Sequence, residues 1–253
     1  GAGLVTLGVP ERINPGVEAR VMEVMTLPLA DSGTGVLSAQ NADVILSALN
    51  GKQCLAIGPG IGNADTTKAL VHRLVQDSPA PVVMDADALN NLADHLDILK
   101  KKTSEIILTP HPGEMARLNA TSPGEVQADR IGCARAFAQA HEVHVVLKGA
   151  RTVIAHPDGH VYVNPTGNPG MASGGMGDVL TGMIAGFVTQ GYDVRDAAHI
   201  AVYLHGAAAD ILARRRGPYG FVAGDVTDML PETLLAVSNS TFADSTSHFM
   251  PLL

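Results

Sequence analysis

Residues 168–182, NPGMASGGMGDVLTG, place five glycines and one aspartate, Asp178, within fifteen positions and then run into an apolar helical pattern. Glycines permit backbone conformations in which successive N–H groups converge on one point, and a helix starting near Met176 adds the positive end of its dipole there. Gly174, Gly175, Met176 and Gly177 therefore read as an anion hole. A carboxylate beside a static phosphate would repel it. Asp178 suits a different role, in which it takes the proton from an acceptor hydroxyl while that oxygen attacks phosphorus. The competing reading is a glycine-rich contact of packing value only. Glycine is costly in a helix's first turn unless it is needed, which weighs against it.

Ligands of open parallel sheets sit beyond the carboxyl ends of the strands, and those ends are rich in reactive residue types. The run CLAI leads into Gly58, Pro59, Gly60, Ile61 and Gly62; VVM leads into Asp85, Ala86 and Asp87; IIL leads into Thr109, Pro110, His111, Pro112, Gly113 and Glu114; VVL leads into Lys148 and Gly149. Each has a plain structural alternative. GPGIG could be a tight turn, Asp87 a helix N-cap, His111 a satisfied loop histidine, and Glu114 a favourable charge at a helix start. Lys148 is harder to explain away, because a lysine directly ending an apolar strand must snorkel or meet an anion. The chain has no GxxxxGK[ST], no GxGxxG after its first strand and no GxSxG. HEVH at 141–144 does not have the spacing of the zinc motif HExxH, and its second histidine falls at a strand start.

The elements that must position these residues alternate along the chain. Short β-branched runs at 3–9, 54–58, 81–86, 105–110, 143–149 and 152–156 are continuous rather than alternating, which predicts a mostly parallel sheet covered on both faces. Helical patterns lie at 38–49, 63–77 and 123–141, and three more follow residue 175. TVIAHPDGHVYV predicts a hairpin turning at Asp158 and Gly159. The first run, GAGLVTLGV, reads as a buried strand. One domain over 1–237 is expected, followed by an aperiodic tail at 238–253.

The 253 residues are 46% hydrophobic, enough for a large core, and the formal net charge of −8 argues against a nucleic-acid or anionic-membrane surface. No apolar run reaches the ~20 residues of a membrane span. Two cysteines without metal-like spacing fit a reduced, cytoplasmic setting. The sequence opens on Gly1 with no leader pattern, and it reads as cut from a longer polypeptide.

GPGIG, DADALN, TPHPGEMARL, LKGARTVI and NPGMASGGMGDVLTG, in this order, resemble the ADP/ATP-dependent NAD(P)H-hydrate dehydratases of the ribokinase-like superfamily. The resemblance runs from Gly1 to about residue 237 and implies a three-layer α/β/α fold. It also implies repair of NADHX and NADPHX, the hydrated reduced nicotinamide dinucleotides: the nucleotide phosphorylates the ring hydroxyl, and loss of phosphate restores the double bond. It implies that Asp178 is the base, that Gly174, Gly175, Met176 and Gly177 hold the transferred phosphate, and that Lys148, Gly149, Ala150, Arg151, Thr152, Asn168 and Gly177 bind the adenine nucleotide. Gly60, Gly62, His111, Glu114 and Asp178 would line the hydrated dinucleotide. ADP is the implied donor, ATP the alternative, with Mg2+ on the phosphates, no dedicated protein metal site, and a homo-oligomeric assembly. Two departures stand out. Met176 occupies a position where many members have Ser or Thr, and the glycine-rich strand–turn–helix that precedes GAGLVT in the family is not in this sequence. An epimerase domain in the same polypeptide, or working beside it, is a further implication. A kinase of the same superfamily acting on a hydroxymethylpyrimidine- or thiazole-like alcohol, and a nucleotide-binding module without turnover, are the competing functions.

Overall fold

A computed structural model describes residues 1–240. Strands β1 (Thr6–Pro10) and β2 (Met25–Leu29), linked by helix α1 (Asn14–Glu18), pair in parallel as a separate two-stranded sheet. The main sheet has six strands in chain order: β3 (Leu55–Ile57), β4 (Val82–Met84), β5 (Ile106–Leu108), β6 (His144–Leu147), β7 (Val153–Ala155) and β8 (Val161–Val163). Strands β3 to β6 run parallel, and β7 and β8 close the sheet as an antiparallel pair. The expected hairpin turns at Asp158 and Gly159, where Gly159 takes φ 85° and donates its N–H to His156 O.

Every residue of β4, β5, β6 and β7 is buried, as continuous apolar runs require. Met84, Leu108 and Leu147 face one side of the sheet, and Val83, Ile107, Val146 and Ile154 face the other. Helices between the strands cover the first side: α3 (Asp65–Asp77), α4 (Asp87–Leu92), α5 (Pro112–Leu118), α6 (Pro123–Ala128) and α7 (Arg130–His141). Strands added in one direction by crossovers of one hand put all their linking helices on the same face. The second side is covered by the helices that follow the last strand: α8 (Met176–Thr189), α9 (Val194–Arg216) and α10 (Ala223–Ser240). Helix α2 (Ala42–Ala48) packs with β2 and α3 in a smaller cluster around Leu29, Ala42, Leu70 and Leu74. Among the described residues no helix is long and apolar enough to cross a membrane.

Four expectations change. GAGLVTLGV is largely exposed, with only Val9 buried: Leu4 is 73% and Leu7 40% exposed. The reason is its pairing, because β1 bonds to β2 and not to β3, and an apolar recess of about 420 Å³, lined among others by Leu4, Leu27, Leu55 and Ala185, lies between the two sheets. β2, which carries Pro28, was not anticipated. A proline that donates nothing is tolerable where one edge is unpaired, and β2 pairs with β1 alone. The helix expected over 123–141 breaks at Asp129, whose side chain leaves α6 to cap α7 at Gly132 N (2.8 Å). Of the tail expected over 238–253, residues 238–240 belong to α10, and the remainder lies outside the described residues.

At the amino end of β6 three imidazoles form a chain. His144 Nδ1 lies 2.7 Å from His156 Nδ1, and His156 Nε2 lies 2.9 Å from His199 Nε2 of α9. One tautomer set satisfies every contact with all rings neutral: His199 donates to His156, His156 to His144, and His144 toward Glu105, 3.5 Å away. Burial, followed by the neighbouring His144 and His199, pushes His156 down to about 3, and burial pushes His205 down to about 4. The unfolded chain takes up these protons near the ordinary 6.5, so below that pH the unfolded state binds more protons than the folded state and stability falls with falling pH. Thermal melts should show Tm constant above about pH 7 and dropping from about pH 6.5 toward 4. His156→Gln should flatten part of that slope, and an unchanged slope would dissociate the chain from acid sensitivity.

Candidate active site

Helix α8 starts at Met176, with Gly175 as its N-cap in the left-handed region at φ 85°. Its first internal bond runs from Val179 N to Gly175 O, so the earlier N–H groups have no intrahelical acceptor. The glycines have different reasons to be there. Gly175 supplies the positive φ. Gly177 is helical, and its need is space: a Cβ there would lie 3.2 Å from Lys148 Nζ and 3.3 Å from Asp85 Oδ2. Gly174 has open space and no positive φ, which corrects the expectation that all three adopt special conformations. Met176 is buried with Ala208, Phe221 and Val226, and so clamps the helix start onto α9 and α10. Asp178, the third residue of α8, is exposed, and its side chain has no hydrogen bond or ion pair among the described residues.

Lys148, just past β6, meets its anion inside the protein. Its Nζ lies 2.5 Å from Asp85 Oδ1 and 3.8 Å from Glu114 Oε2. Asp85 directly follows β4, is 1% exposed, and also accepts a hydrogen bond from Thr181 Oγ1 at 3.0 Å. His111 and Glu114 cap α5 reciprocally: His111 Nδ1 accepts from Gly113 N and Glu114 N, while Glu114 Oε2 accepts from His111 N at 2.7 Å. This is a capping box with histidine in place of the usual hydroxyl.

A cavity of about 670 Å³ opens beside this cluster. Its wall includes Lys148, Gly149, Ala150, Arg151, Thr152, Asn168, Met176, Gly177 and His111. All the residues expected at the nucleotide are thus brought together. Gly60, Gly62, Glu114, Gly174, Gly175 and Asp178 are not part of that wall, although Asp178 directly follows Gly177. Of the residues expected at the dinucleotide, only His111 borders the cavity. Asn168 is occupied locally, accepting from Gly170 N at 3.0 Å and donating to Asp210 Oδ1 at 2.9 Å. It shapes the turn of residues 169–171 that forms one side of the cavity. Arg151, at φ 58°, donates to Pro165 O.

Sequence reasoning named Asp85 and Asp87 at a strand end without finding their partners, and it missed Thr181 and Arg130. Asp85 and Thr181 complete the contacts of Lys148. Arg130 grips the loop after β6, donating to the carbonyls of Leu147, Lys148, Ala150 and Arg151. Asp87 is not an N-cap, since Ala86 takes that position; its carboxylate instead accepts from Gly62 N at 3.0 Å and Asn63 Nδ2 at 3.1 Å, fastening the GPGIG loop. The position of Asp85 at the end of an apolar strand was the available signal; Thr181 and Arg130 offered none. Among the described residues no three His, Cys, Asp or Glu side chains are grouped to hold a metal ion.

Three layers around a parallel sheet, with a glycine-capped helix opening at the carboxyl strand ends, define a ribokinase-like protein. The chain belongs to the NAD(P)H-hydrate dehydratase family, which it matches over residues 1–232. It is 47% identical over 234 residues to the bifunctional NAD(P)H-hydrate repair enzyme of Moorella thermoacetica, covering 92% of this chain and 44% of that protein. The chain thus spans less than half the length of such bifunctional relatives. It is 34% identical to the ADP-dependent (S)-NAD(P)H-hydrate dehydratase of Xanthomonas campestris, covering 92% of this chain and 79% of that one. The solved ADP/ATP-dependent NAD(P)H-hydrate dehydratase from Bacillus subtilis, co-crystallised with ATP/Mg2+, superposes with TM-score 0.77 at 32% identity, covering 93% of this chain and 82% of that one. The small-molecule kinase reading is not favoured by these likenesses.

The GPGIG loop offers a steric test. A Cβ on Gly58 would lie 1.7 Å from Asp85 O, whereas a Cβ on Gly60 meets open space. Gly60→Ala should cost only the left-handed penalty of about 1 kcal/mol. Gly58→Ala should lower Tm far more or prevent folding, and equal melting temperatures for the two would contradict this packing.

Proposed function

We propose that this chain converts NADHX and NADPHX to NADH and NADPH by transferring the terminal phosphoryl group of an adenine nucleotide, ADP in the first instance, to the ring hydroxyl. The observation that carries this reading is the unpaired, exposed carboxylate of Asp178, placed one residue after Gly177 on the wall of the cavity. Asp178 takes the hydroxyl proton as that oxygen bonds to phosphorus, and the bond from phosphorus to the bridging oxygen breaks to release AMP. The free N–H groups at the start of α8 hold the oxygens of the group in flight. The carbon–oxygen bond then breaks, phosphate leaves with the former hydroxyl oxygen, and loss of a ring proton restores the double bond. Water is removed as part of the phosphate.

Lys148, Gly149, Ala150, Arg151, Thr152 and Asn168 are assigned to the nucleotide, an assignment supported by their convergence on one cavity. His111, Glu114, Gly60 and Gly62 are assigned to the dinucleotide, with support from the position of His111 at the cavity edge. Mg2+ fits a site without a grouped set of three protein ligands, because it is commonly carried by substrate phosphates with few carboxylates and several waters. Bound there, it would neutralise charge on the phosphates. A cytoplasmic setting, assembly with further copies of the chain, and partnership with an epimerase belong to the same reading. The last is supported by the bifunctional names of several relatives.

Purified protein supplied with NADHX and ADP should restore the absorbance of the reduced nicotinamide and release AMP and phosphate. No recovery with ADP or ATP, despite nucleotide binding, would remove the enzyme reading. Asp178→Asn should lower turnover by roughly 10²-fold or more with little change in ADP affinity. Near-normal turnover in that variant would exclude Asp178 as the base.

A further inference from the structure

Three separated segments meet at Asp85, a residue that is not part of the cavity wall. Asp85 Oδ1 binds the ammonium of Lys148 at 2.5 Å, and Oδ2 accepts from Thr181 Oγ1 at 3.0 Å. Gly177, one turn before Thr181 on the same face of α8, is close enough that a Cβ would stand 3.3 Å from Oδ2. The backbone of Asp85 is equally constrained. Its N–H donates to Ile57 O at 3.1 Å, and its carbonyl fills the space a side chain at Gly58 would need. Ala86 follows at φ 49°, ψ −121°, outside the regions open to residues with a side chain. Glu114 completes the group at 3.8 Å from Lys148 Nζ.

Stability alone gives no reason for these charges. Desolvating a carboxylate and an ammonium offsets their attraction, and two apolar side chains of similar size often serve a fold as well or better. The contacts instead connect groups that must keep fixed relative positions during transfer. We propose that Asp85 is a positioning residue for the phosphoryl transfer. It fixes the Lys148 ammonium against Gly177, and through Thr181 it fixes the rotation of α8 about its axis. Successive helical residues project about 100° apart, so fixing Gly177 and Thr181 on the inner face also fixes the direction of Asp178. At 1% exposure Asp85 acts through Lys148 and Thr181 and not on substrate. The proposal rests on the dehydratase reading above.

The test compares the wild-type chain with Asp85→Asn, Thr181→Val, Thr181→Ser and the double variant Asp85→Asn/Lys148→Met, measuring NADHX recovery with ADP, ADP affinity and Tm. Misplacement of reacting groups by about 1 Å costs on the order of 10²-fold, so Asp85→Asn should lose about that much kcat with KM and ADP affinity changed less than about threefold. Thr181→Val should lose roughly tenfold in kcat, and Thr181→Ser, which keeps the hydroxyl, should recover most of it. The double variant, which also removes the ammonium that Asp85→Asn deprives of its nearest counter-charge, should regain part of the Tm lost in Asp85→Asn but not kcat. The proposal is overturned if Asp85→Asn or Thr181→Val keeps kcat within about twofold of wild type, or if kcat returns together with Tm in the double variant. Should Asp85→Asn fail to fold, the Thr181 pair decides, equal kcat for Val and Ser overturning the proposal. A wild-type chain that binds ADP without turnover overturns the dehydratase reading itself, and the positioning role with it.

Discussion

Strands β4, β5 and β6 have no face turned to water. Apart from His144 at the start of β6, which meets His156, a polar side chain within them would lose its hydration, so polar chemistry is displaced to the places where the strands stop. Asp85 stands one residue past β4, Thr109 one past β5 and Lys148 one past β6. The strands are parallel and in register, with Val83 beside Ile107 and Leu108 beside Val145, so their ends reach one edge of the sheet together. Residues more than sixty positions apart in the sequence come within hydrogen-bonding distance there, as Asp85 and Lys148 do.

The electrostatics of that edge follow from the same crowding. Two carboxylates, Asp85 and Glu114, flank Lys148, so this cluster carries no net positive charge. In the proposed reading, phosphate is met by Arg151 on the cavity wall and by groups without net charge, the backbone N–H donors at the start of α8 and the dipole behind them. Those backbone donors cannot be titrated away and cannot swing aside. Arg130 contributes from outside the site: by occupying the carbonyls of Leu147, Lys148, Ala150 and Arg151 it holds the loop in one conformation, with Gly149 at φ 140° beneath its guanidinium.

Much of this was legible in residue type and spacing. The continuous apolar runs specified strands β3 to β7, Asp158 and Gly159 specified the hairpin, and the glycine cluster marked the start of α8 at Met176. Those signals are local, and local backbone preferences were enough. What stayed hidden depends on distant partners. Nothing near Thr181 or Arg130 in the sequence indicates that one meets a strand end ninety-six residues away and the other a loop twenty residues away. The exposure of GAGLVTLGV was misread for a related reason: its residues suit a buried strand, and only the pairing of β1 with β2 leaves them at a surface. Gly177 was recognised as necessary, but for backbone freedom, whereas the structure needs it for the room it leaves to Lys148 and Asp85.

The separateness of the two-stranded sheet has a dynamic consequence. No ladder bond joins β1 or β2 to the main sheet, and the unit is held through side chains such as Leu29 against α2 and α3. Segments joined to a domain without ladder bonds open more independently and at lower free energy than its hydrogen-bonded core. Amide exchange would therefore divide the molecule into two cooperative units. The amides of β1 and β2 would exchange through a local opening that leaves the strand ends, and the cavity beside them, undisturbed.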